Sequence, residues 1–241
     1  MNVVIISGGR LNPESAPAVF KKTGIILQKT DTKEASRQEG KLCIIAVDGG
    51  LKYCKQWKIH PDYLVGDFDT IEKEILQEYS DQSDIKIRRY NPQKDLTDTD
   101  AAVNLAIEVI EQRIQQGEEQ ESCIYLLGGI GSRIDHTLAN IGCLKKTMQH
   151  QIFMKLLDEH NCIYGFNHSF TLQEKDLIYK ENLSLLSLES VEGLTIGGMK
   201  YTTDKLSLPV LESRGVSNYL TEKEATVEFT SGVLLVVESK D

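Results

Sequence analysis

Aspartates, without any glutamate, stand where the predicted strands end or the predicted helices begin. The seven are Asp48, Asp67, Asp69, Asp95, Asp98, Asp100 and Asp135. Asp67 and Asp69 lie two residues apart in residues 66–70 (GDFDT), so on an extended chain both carboxylates face the same way. Converging carboxylates repel one another unless a cation lies among them, and Mg²⁺ bound by carboxylates and substrate phosphates is the usual solution. The aspartates therefore predict a magnesium–phosphate site.

Helix capping is the alternative explanation for several of these aspartates. Asp98 and Asp100 follow Thr97, an order that is typical of a capped helix start. Asp135, in residues 132–135 (SRID), also fits an N-terminal capping pattern. Capping explains each aspartate taken alone, whereas the convergence of all of them on one edge favours the metal site.

Three glycine pairs, each directly after a predicted strand, support a phosphate ligand. They are residues 8–9, 49–50 and 128–129. Glycine lets backbone N–H groups approach a polyphosphate, and the N-terminus of the following helix adds positive potential. Lys94 and Arg133 lie beside the carboxylates and are candidate phosphate ligands, although either could be a solvated side chain. The chain has neither GxxxxGK[ST] nor GxGxxG, so the P-loop and the dinucleotide-binding fingerprint are excluded.

The elements that must position these residues alternate between strands and helices in the first two-thirds of the chain. The apolar runs that predict buried parallel strands are residues 3–6, 42–47, 63–65, 85–90 and 123–127. Apolar residues recur with helical period over residues 101–110 and 134–144. This alternation predicts an α/β domain with a doubly wound, mostly parallel sheet over residues 1–152. Ligands of such sheets bind at the carboxyl ends of the strands.

The pattern changes after about residue 150, where short alternating runs are separated by turn residues. These runs predict an antiparallel β-sandwich as a second domain over residues 153–241. Residues 10–41 are unusually long and polar for a connection, with a possible helix near residues 18–28. They are either a plain insertion or a functional lid.

Composition excludes several classes of function. The net charge is −9, with 27 Lys and Arg against 36 Asp and Glu, which argues against binding to nucleic acid or to an anionic membrane. The five cysteines are odd in number and form no CxxC pair, so we expect free thiols. The first residues carry neither a basic leader nor an apolar run of membrane-spanning length. We therefore expect a cytoplasmic protein.

Several motifs together resemble the thiamine pyrophosphokinase family in their order and spacing. In the first domain they are residues 47–50 (VDGG), 64–70 (LVGDFDT), 91–101 (NPQKDLTDTDA) and 127–136 (LGGIGSRIDH). In the second domain they are residues 198–201 (GMKY), 215–218 (GVSN) and the final strand. The resemblance covers nearly the whole chain, and residues 10–41 depart from it because the family usually reaches its second strand sooner.

The resemblance implies transfer of the diphosphate of ATP to the hydroxyethyl oxygen of thiamine, with release of AMP, by a homodimer with sites at the subunit interface. It implies that Mg²⁺ is held by Asp67, Asp69 and Asp98, and that Lys94 and Arg133 complete the catalytic set. The residues implied for ATP and the diphosphate are Asp48, Gly49, Asp95, Thr97, Asp135 and His136. Those implied for thiamine are Tyr201, Ser217 and Asn218.

Other functions stay open on the sequence. A pyrophosphokinase of another heterocyclic alcohol, such as a hydroxymethyl pterin, would carry similar phosphate motifs. Residues 67–70 (DFDT) are similar to the nucleophile motif of haloacid-dehalogenase phosphatases, but Ile71 and the preceding glycine depart from it. A thiamine or nucleotide sensor is the non-enzymatic alternative. Tyr201 could simply pack in the sandwich, His136 could be structural, and the general base is left open between Asp98, Asp100 and another carboxylate.

Overall fold

The computed structural model describes residues 1–12, 14, 23, 42–90, 95–117 and 121–241. It divides into two compact units, Met1–Glu159 and His160–Asp241. The domain limits at residues 152 and 153 stay a prediction. Three sequence-based expectations lie outside the described residues, namely the helix near residues 18–28, a lid within residues 10–41, and the phosphate ligand Lys94.

A parallel sheet forms the centre of the first unit. Its strands are β1 (Asn2–Ile6), β2 (Leu42–Val47), β3 (Tyr63–Gly66), β4 (Lys86–Arg89), β5 (Cys123–Leu127) and β6 (Phe153–Leu157). They lie in the order β4-β3-β2-β1-β5-β6, and every neighbouring pair is parallel. Successive strands move outward from β1 in one direction up to β4 and then continue on its other side with β5. The sheet therefore has its topological switch point between β1 and β5, where a ligand crevice opens in folds of this kind.

Helices connect these strands, as the doubly wound prediction requires. They are α1 (Leu51–Trp57), α2 (Lys73–Ser80), α3 (Asp98–Gln115) and α4 (Ile134–Gln149). At the start of α3, the hydroxyl of Thr97 accepts a hydrogen bond from the backbone N–H of Asp100 at 3.1 Å, which is the predicted cap. The buried face of α3, which includes Ala102 and Leu105, packs against β1, β2 and β3.

Two elements of the first unit are less buried than their patterns suggest. All four residues of β4 are exposed, because its sequence is mostly Lys and Arg and it pairs with β3 alone in this unit. In α4 the apolar side chains do not all face the core: Leu144 is buried, whereas Ile134 and Leu138 are 67% and 55% exposed. One side of α4 thus presents apolar surface to solvent.

The second unit is built from antiparallel strands, as predicted. They are β7 (Asn161–Phe166), β8 (Phe170–Gln173), β9 (Asn182–Gly197), β10 (Thr203–Leu208), β11 (Glu224–Glu228) and β12 (Ser231–Ser239). The long strand β9 pairs first with β12, which also pairs with β7, and then with β10 and β11. The separately predicted runs 183–188 and 194–196 are therefore parts of one strand that joins two groups of strands.

All five cysteines are described, and none forms a disulfide bond with another, as their odd number suggested. Across the described parts of the chain, no helix combines the length and the apolar character that a bilayer crossing requires.

Candidate active site

A cleft of about 500 Å³ lies at the carboxyl ends of the central strands in the first unit. It opens beside the switch point between β1 and β5, where the topology predicts a ligand site. Its walls come from the turns after β1, β2 and β5 and from the first turns of α3 and α4. The elements that carry the aspartate and glycine motifs therefore meet in one place.

The glycine-rich turns pack against one another too closely for larger residues. A Cβ atom on Gly9 would lie 2.0 Å from the carbonyl oxygen of Gly128, and one on Gly50 would lie 2.0 Å from that of Ile6. Gly128 also has φ +67°, which disfavours other residues. Glycine at these positions brings the turns together and leaves their backbone accessible along the cleft.

Three aspartates form a compact acidic cluster at the end of β2 and after β3. Asp48, Asp67 and Asp69 each place one carboxylate oxygen within 4.8 Å of the others. The hydroxyl of Thr70 donates a hydrogen bond to the carboxylate of Asp48, and the backbone N–H of Asp69 donates to Oδ1 of Asp67 at 3.3 Å. The strand ends bring together carboxylates that are far apart in the sequence.

The charges of this cluster oppose one another. The negative charge of Asp67 raises the pKa of Asp69 above its ordinary value, with smaller contributions from the loss of some hydration and from the charges of Asp48 and Asp98. Oδ1 of Asp48 is buried and has no hydrogen-bond partner among the described residues. An all-oxygen donor set with this excess of negative charge suits a hard divalent cation.

Asp98 lies in the wall of the cleft but is not one of the three clustered residues. Thr97 beside it also lines the cleft, and Thr99 fixes the start of α3 through a 2.9 Å hydroxyl contact with Ser7. The carboxylate of Asp100 forms an ion pair with Lys146 of α4. Of the two carboxylates named as candidate bases, Asp98 lines the cleft and Asp100 does not.

Arg133 and His136 line the cleft from the start of α4. The guanidinium of Arg133 makes two hydrogen bonds to the carboxylate of Asp135, from Nε at 3.2 Å and from Nη2 at 2.6 Å. This pairing raises the pKa of Arg133 and lowers that of Asp135. Both side chains are exposed, so the pair orients the guanidinium without excluding it from a ligand.

The remaining predicted ATP residues are not all part of the wall of the cleft. Gly49 adjoins Asp48, and a Cβ on it would lie 3.3 Å from Oγ1 of Thr70. Asp95 is exposed and does not line the cleft.

The predicted thiamine residues lie together in the second unit. The buried amide of Asn218 accepts hydrogen bonds from the backbone N–H groups of Tyr201 (2.9 Å) and Tyr219 (3.0 Å), and donates to the Tyr201 carbonyl at 2.8 Å. The Tyr201 side chain is 58% exposed and so is not part of the sandwich core. Ser217 is exposed at φ +58°, and its backbone N–H donates to Ser184 Oγ at 3.1 Å.

Several cleft residues were not singled out from the sequence. They are Ser7, Arg10, Lys52, Tyr53, Thr70 and Asn140. Lys52 and Tyr53 lie two and three residues after the glycine pair at residues 49–50, and Asn140 lies one helical turn beyond His136. Their closeness in sequence to a glycine pair or to a predicted site residue is the signal by which these three could have been predicted.

The comparisons with known proteins agree along both units. Residues 36–156 match the family model "Thiamin pyrophosphokinase, catalytic domain", and residues 167–234 match "Thiamin pyrophosphokinase, vitamin B1 binding domain". The chain is 29% identical over 201 residues to the thiamine pyrophosphokinase of Bacillus subtilis, covering 82% of this chain and 87% of that one. It is 24% identical over 199 residues to Thiamin pyrophosphokinase 1 of Caenorhabditis elegans, covering 80% and 78%.

Solved structures share the fold. The crystal structure of the Bacillus subtilis thiamine pyrophosphokinase superposes with a TM-score of 0.76 at 24% identity over the whole of both chains. The thiamin pyrophosphokinase from Candida albicans gives 0.73 at 17% identity, covering 99% of this chain and 90% of that one. Because the two family models together match most of its length, the chain belongs to the thiamine pyrophosphokinase family.

Proposed function

We infer that the chain is a thiamine pyrophosphokinase, which transfers the diphosphate of ATP to thiamine and releases AMP. The observation that carries this function is the acidic cluster of Asp48, Asp67 and Asp69 beside glycine-rich turns at the switch point. Both domains that the activity requires, one catalytic and one for vitamin B1, are matched in this chain. The match of the second domain favours thiamine over a pterin, and the match of the first favours an enzyme over a sensor.

The reaction needs a charged transition state to be positioned and neutralised. The hydroxyethyl oxygen of thiamine forms a bond to the β-phosphorus. At the same time the bond breaks between that phosphorus and the oxygen that joins it to the α-phosphorus. AMP leaves with the electron pair, and the hydroxyl proton passes to a base. Asp98 is our candidate for that base, since Asp100 is paired with Lys146. Such a transfer requires no covalent intermediate with the protein.

Mg²⁺ is the cation that we assign to the acidic cluster. Asp67 and Asp69 would hold it together with Asp48, whereas Asp98, the third ligand that the resemblance implied, lies outside the cluster and is assigned the role of base. A bound Mg²⁺ would neutralise the phosphate oxygens and orient the diphosphate. The raised pKa of Asp69 and the buried Oδ1 of Asp48 support this assignment. A cation would offset the repulsion that raises the pKa and would give Oδ1 a binding partner.

The nucleotide would occupy the rest of the cleft. We assign its phosphates to the turns that contain Gly49 and Gly128, to the exposed cation Arg133, and to Lys94, which stays a prediction from the sequence. The other members of the ATP set are Asp95, Thr97, Asp135 and His136. The bidentate pair with Asp135 gives Arg133 a defined direction, which a phosphate ligand requires.

Thiamine would contact the second unit of a partner subunit in a homodimer. Tyr201 would stack on its cationic heterocycle and Ser217 would bind its polar edge, while Asn218 would fix the backbone of Tyr201.

Apolar side chains that lie exposed in the single chain support a dimer. They are Ile134 and Leu138 in the first unit, and Val210, Leu211, Val216 and Tyr219 in the second. We place the protein in the cytoplasm.

The test is the release of AMP from ATP by the purified chain with Mg²⁺, in the presence and absence of thiamine. We expect AMP and thiamine diphosphate to form in equal amounts, and no AMP without thiamine. A hydroxymethyl pterin in place of thiamine serves as the control substrate. Turnover of the pterin but not of thiamine, or release of inorganic phosphate alone, would contradict the assignment.

A further inference from the structure

Arg10 is a cation in the cleft to which the proposed function assigns no role. It follows the first glycine pair, directly after β1, and lines the cleft together with Gly8 and Gly9. Its side chain is exposed, and its guanidinium forms no hydrogen bond or ion pair with any residue that the structure describes. Its donors are therefore available to a ligand of the cleft.

Tyr53 holds the backbone on both sides of Arg10. Its hydroxyl donates a hydrogen bond to the carbonyl of Gly9 at 2.8 Å and accepts one from the backbone N–H of Leu11 at 3.0 Å. The phenol ring is buried and stacks on Trp57 in the next turn of α1, with ring centroids 5.2 Å apart. One rigid side chain, anchored in a helix, thus bridges the residues that flank Arg10.

The same short segment is fixed from other directions. Gly9 fits against the carbonyl of Gly128, with no room for a Cβ atom. The Leu11 side chain is buried, and the backbone N–H of Asn12 donates to the carboxylate of Glu159. The backbone at Arg10 is therefore determined by its neighbours, while its side chain carries none of these contacts.

We propose that Arg10 is a further ligand of the phosphates of the nucleotide, and that Tyr53 is the positioning residue that presents it. The proposal rests on the proposed function for the identity of the ligand. A guanidinium is the group best suited to bind phosphate through paired hydrogen bonds, and a fixed backbone reduces the entropy lost when it binds. The triphosphate of ATP is the most highly charged anion in the reaction, so Arg10 should favour ATP over AMP.

The experiment compares four variants of the full chain with the wild type. They are Arg10→Gln, Tyr53→Phe, the double variant, and Tyr79→Phe as a control. Tyr79 is a matched control because it too is a buried tyrosine of the first unit, but its hydroxyl donates to the Ile59 carbonyl at 3.4 Å, outside the cleft. Affinities for Mg-ATP and for AMP are measured by calorimetry, and nucleotide KM and kcat by AMP release.

Losing one charge-assisted phosphate contact should weaken ATP binding by about tenfold in Arg10→Gln and AMP binding by less than about twofold. Tyr53→Phe keeps the ring stack and should weaken ATP binding by about three- to fivefold, mainly through nucleotide KM rather than kcat. The double variant should bind ATP no more weakly than Arg10→Gln, since Tyr53 acts through Arg10. Tyr79→Phe should bind ATP like the wild type.

Three results would overturn the proposal. If Arg10→Gln binds ATP within about twofold of the wild type, or loses ATP and AMP affinity equally, Arg10 is not a ligand of the polyphosphate. Effects that multiply in the double variant would show that Tyr53 does not act through Arg10. If the wild type releases no thiamine-dependent AMP, the proposed function fails, while the binding measurements still decide the role of Arg10. Thermal unfolding of each variant separates loss of affinity from loss of fold.

Discussion

At the scale of single residues, the acidic cluster shows that the backbone does most of the positioning. Aspartate has one methylene, so its carboxylate can only follow the backbone that carries it. Asp48 has φ +40°, a strained value, and Phe68, which separates the other two aspartates, has φ +63°. Strain of this kind concentrates at functional sites, where the surrounding structure stabilises it. Part of that surrounding structure at Asp48 is Gly66, which packs closely against it: a Cβ atom on Gly66 would lie only 3.1 Å from the Cβ of the aspartate.

Replacing Asp67 or Asp69 with asparagine should abolish most turnover and leave the fold intact. Each substitution removes one carboxylate from the proposed Mg²⁺ site, and neither residue belongs to the hydrophobic core. AMP release is measured over a Mg²⁺ titration, together with thermal unfolding. Asp81→Asn is the control, because Asp81 is an exposed aspartate of the same unit outside the cleft. A folded variant with near-wild-type kcat at saturating Mg²⁺ would show that the residue is not a metal ligand.

Asn218→Ala should destabilise the chain rather than remove a direct thiamine contact. The buried amide bonds three backbone groups, which lose their partner in alanine. A typical intramolecular hydrogen bond contributes about 0.5–1.5 kcal/mol net, so losing these three partly buried bonds should lower the free energy of unfolding by about 2–4 kcal/mol. Denaturant unfolding measures this change. Asn167→Ala is the control, since Asn167 is exposed in the same unit, and a loss as small as its own would contradict the expectation.

The residue types of the site could be predicted, but their partners could not. Strand ends and aspartate spacing pointed to Asp67 and Asp69, which the structure brings together. The strand-end pattern placed Asp48 among the converging aspartates and the resemblance gave it to the nucleotide; it lies with the other two because neighbouring strands end side by side. Tyr53 was missed because its contacts span more than 40 residues of chain, and no local pattern reports such a distance.

At the scale of elements, short apolar runs predicted the central strands well. β2 was predicted with its observed bounds, Leu42–Val47, because a buried parallel strand has an apolar residue at nearly every position. β10 was missed because its residues, Thr203–Leu208, are mostly polar and only Leu208 among them is buried. β9 was predicted as two strands, because polar residues and Gly193 interrupt its alternation where it passes from β12 to β10.

The packing of turn against turn leads to a prediction at this scale. Gly9→Ala would place a Cβ atom 2.0 Å from the Gly128 carbonyl, so the turns after β1 and β5 would have to separate. We expect a loss of about 1–3 kcal/mol in the free energy of unfolding, and a fall in kcat/KM of at least about tenfold.

Gly142→Ala is the matched control, because Gly142 lies inside α4 and an added Cβ would meet nothing within 4 Å. Alanine there should raise the free energy of unfolding by about 0.5–1 kcal/mol. Both variants are compared by denaturant unfolding and by AMP release. Equal behaviour of the two would show that the close contact between the turns has no consequence.

At the scale of the whole molecule, the exposed apolar surface is the feature that sequence pattern could not interpret. The helical period in α4 predicted an apolar face, yet Ile134 and Leu138 on that face are exposed. Periodicity tells which residues share a face but does not identify what covers it. A second copy of the chain is the cover that we propose.

If each active site combines the first unit of one subunit with the second unit of its partner, two inactive variants should restore activity when they exchange subunits. One parent is Asp69→Asn, and the other is the double variant Tyr201→Ala and Ser217→Ala, provided that it too is inactive. The two are unfolded and refolded together in equal amounts, and AMP release is measured before and after. Random pairing gives about half hybrid dimers. Each hybrid has one intact site and one doubly damaged site, so activity should recover to about a quarter of the wild-type value.

The size of the recovery tests the arrangement of the sites. Sites built within one chain remain damaged in every dimer, so the mixture would stay inactive even after complete exchange. Each parent refolded alone controls for reactivation by the procedure, and mass spectrometry of intact dimers measures the hybrid fraction. Activity that rises in proportion to that fraction would show that Asp69 and the Tyr201–Ser217 pair act from different subunits, because only the hybrid contains an undamaged site. Hybrids without activity would place the thiamine contacts and the acidic cluster in the same chain.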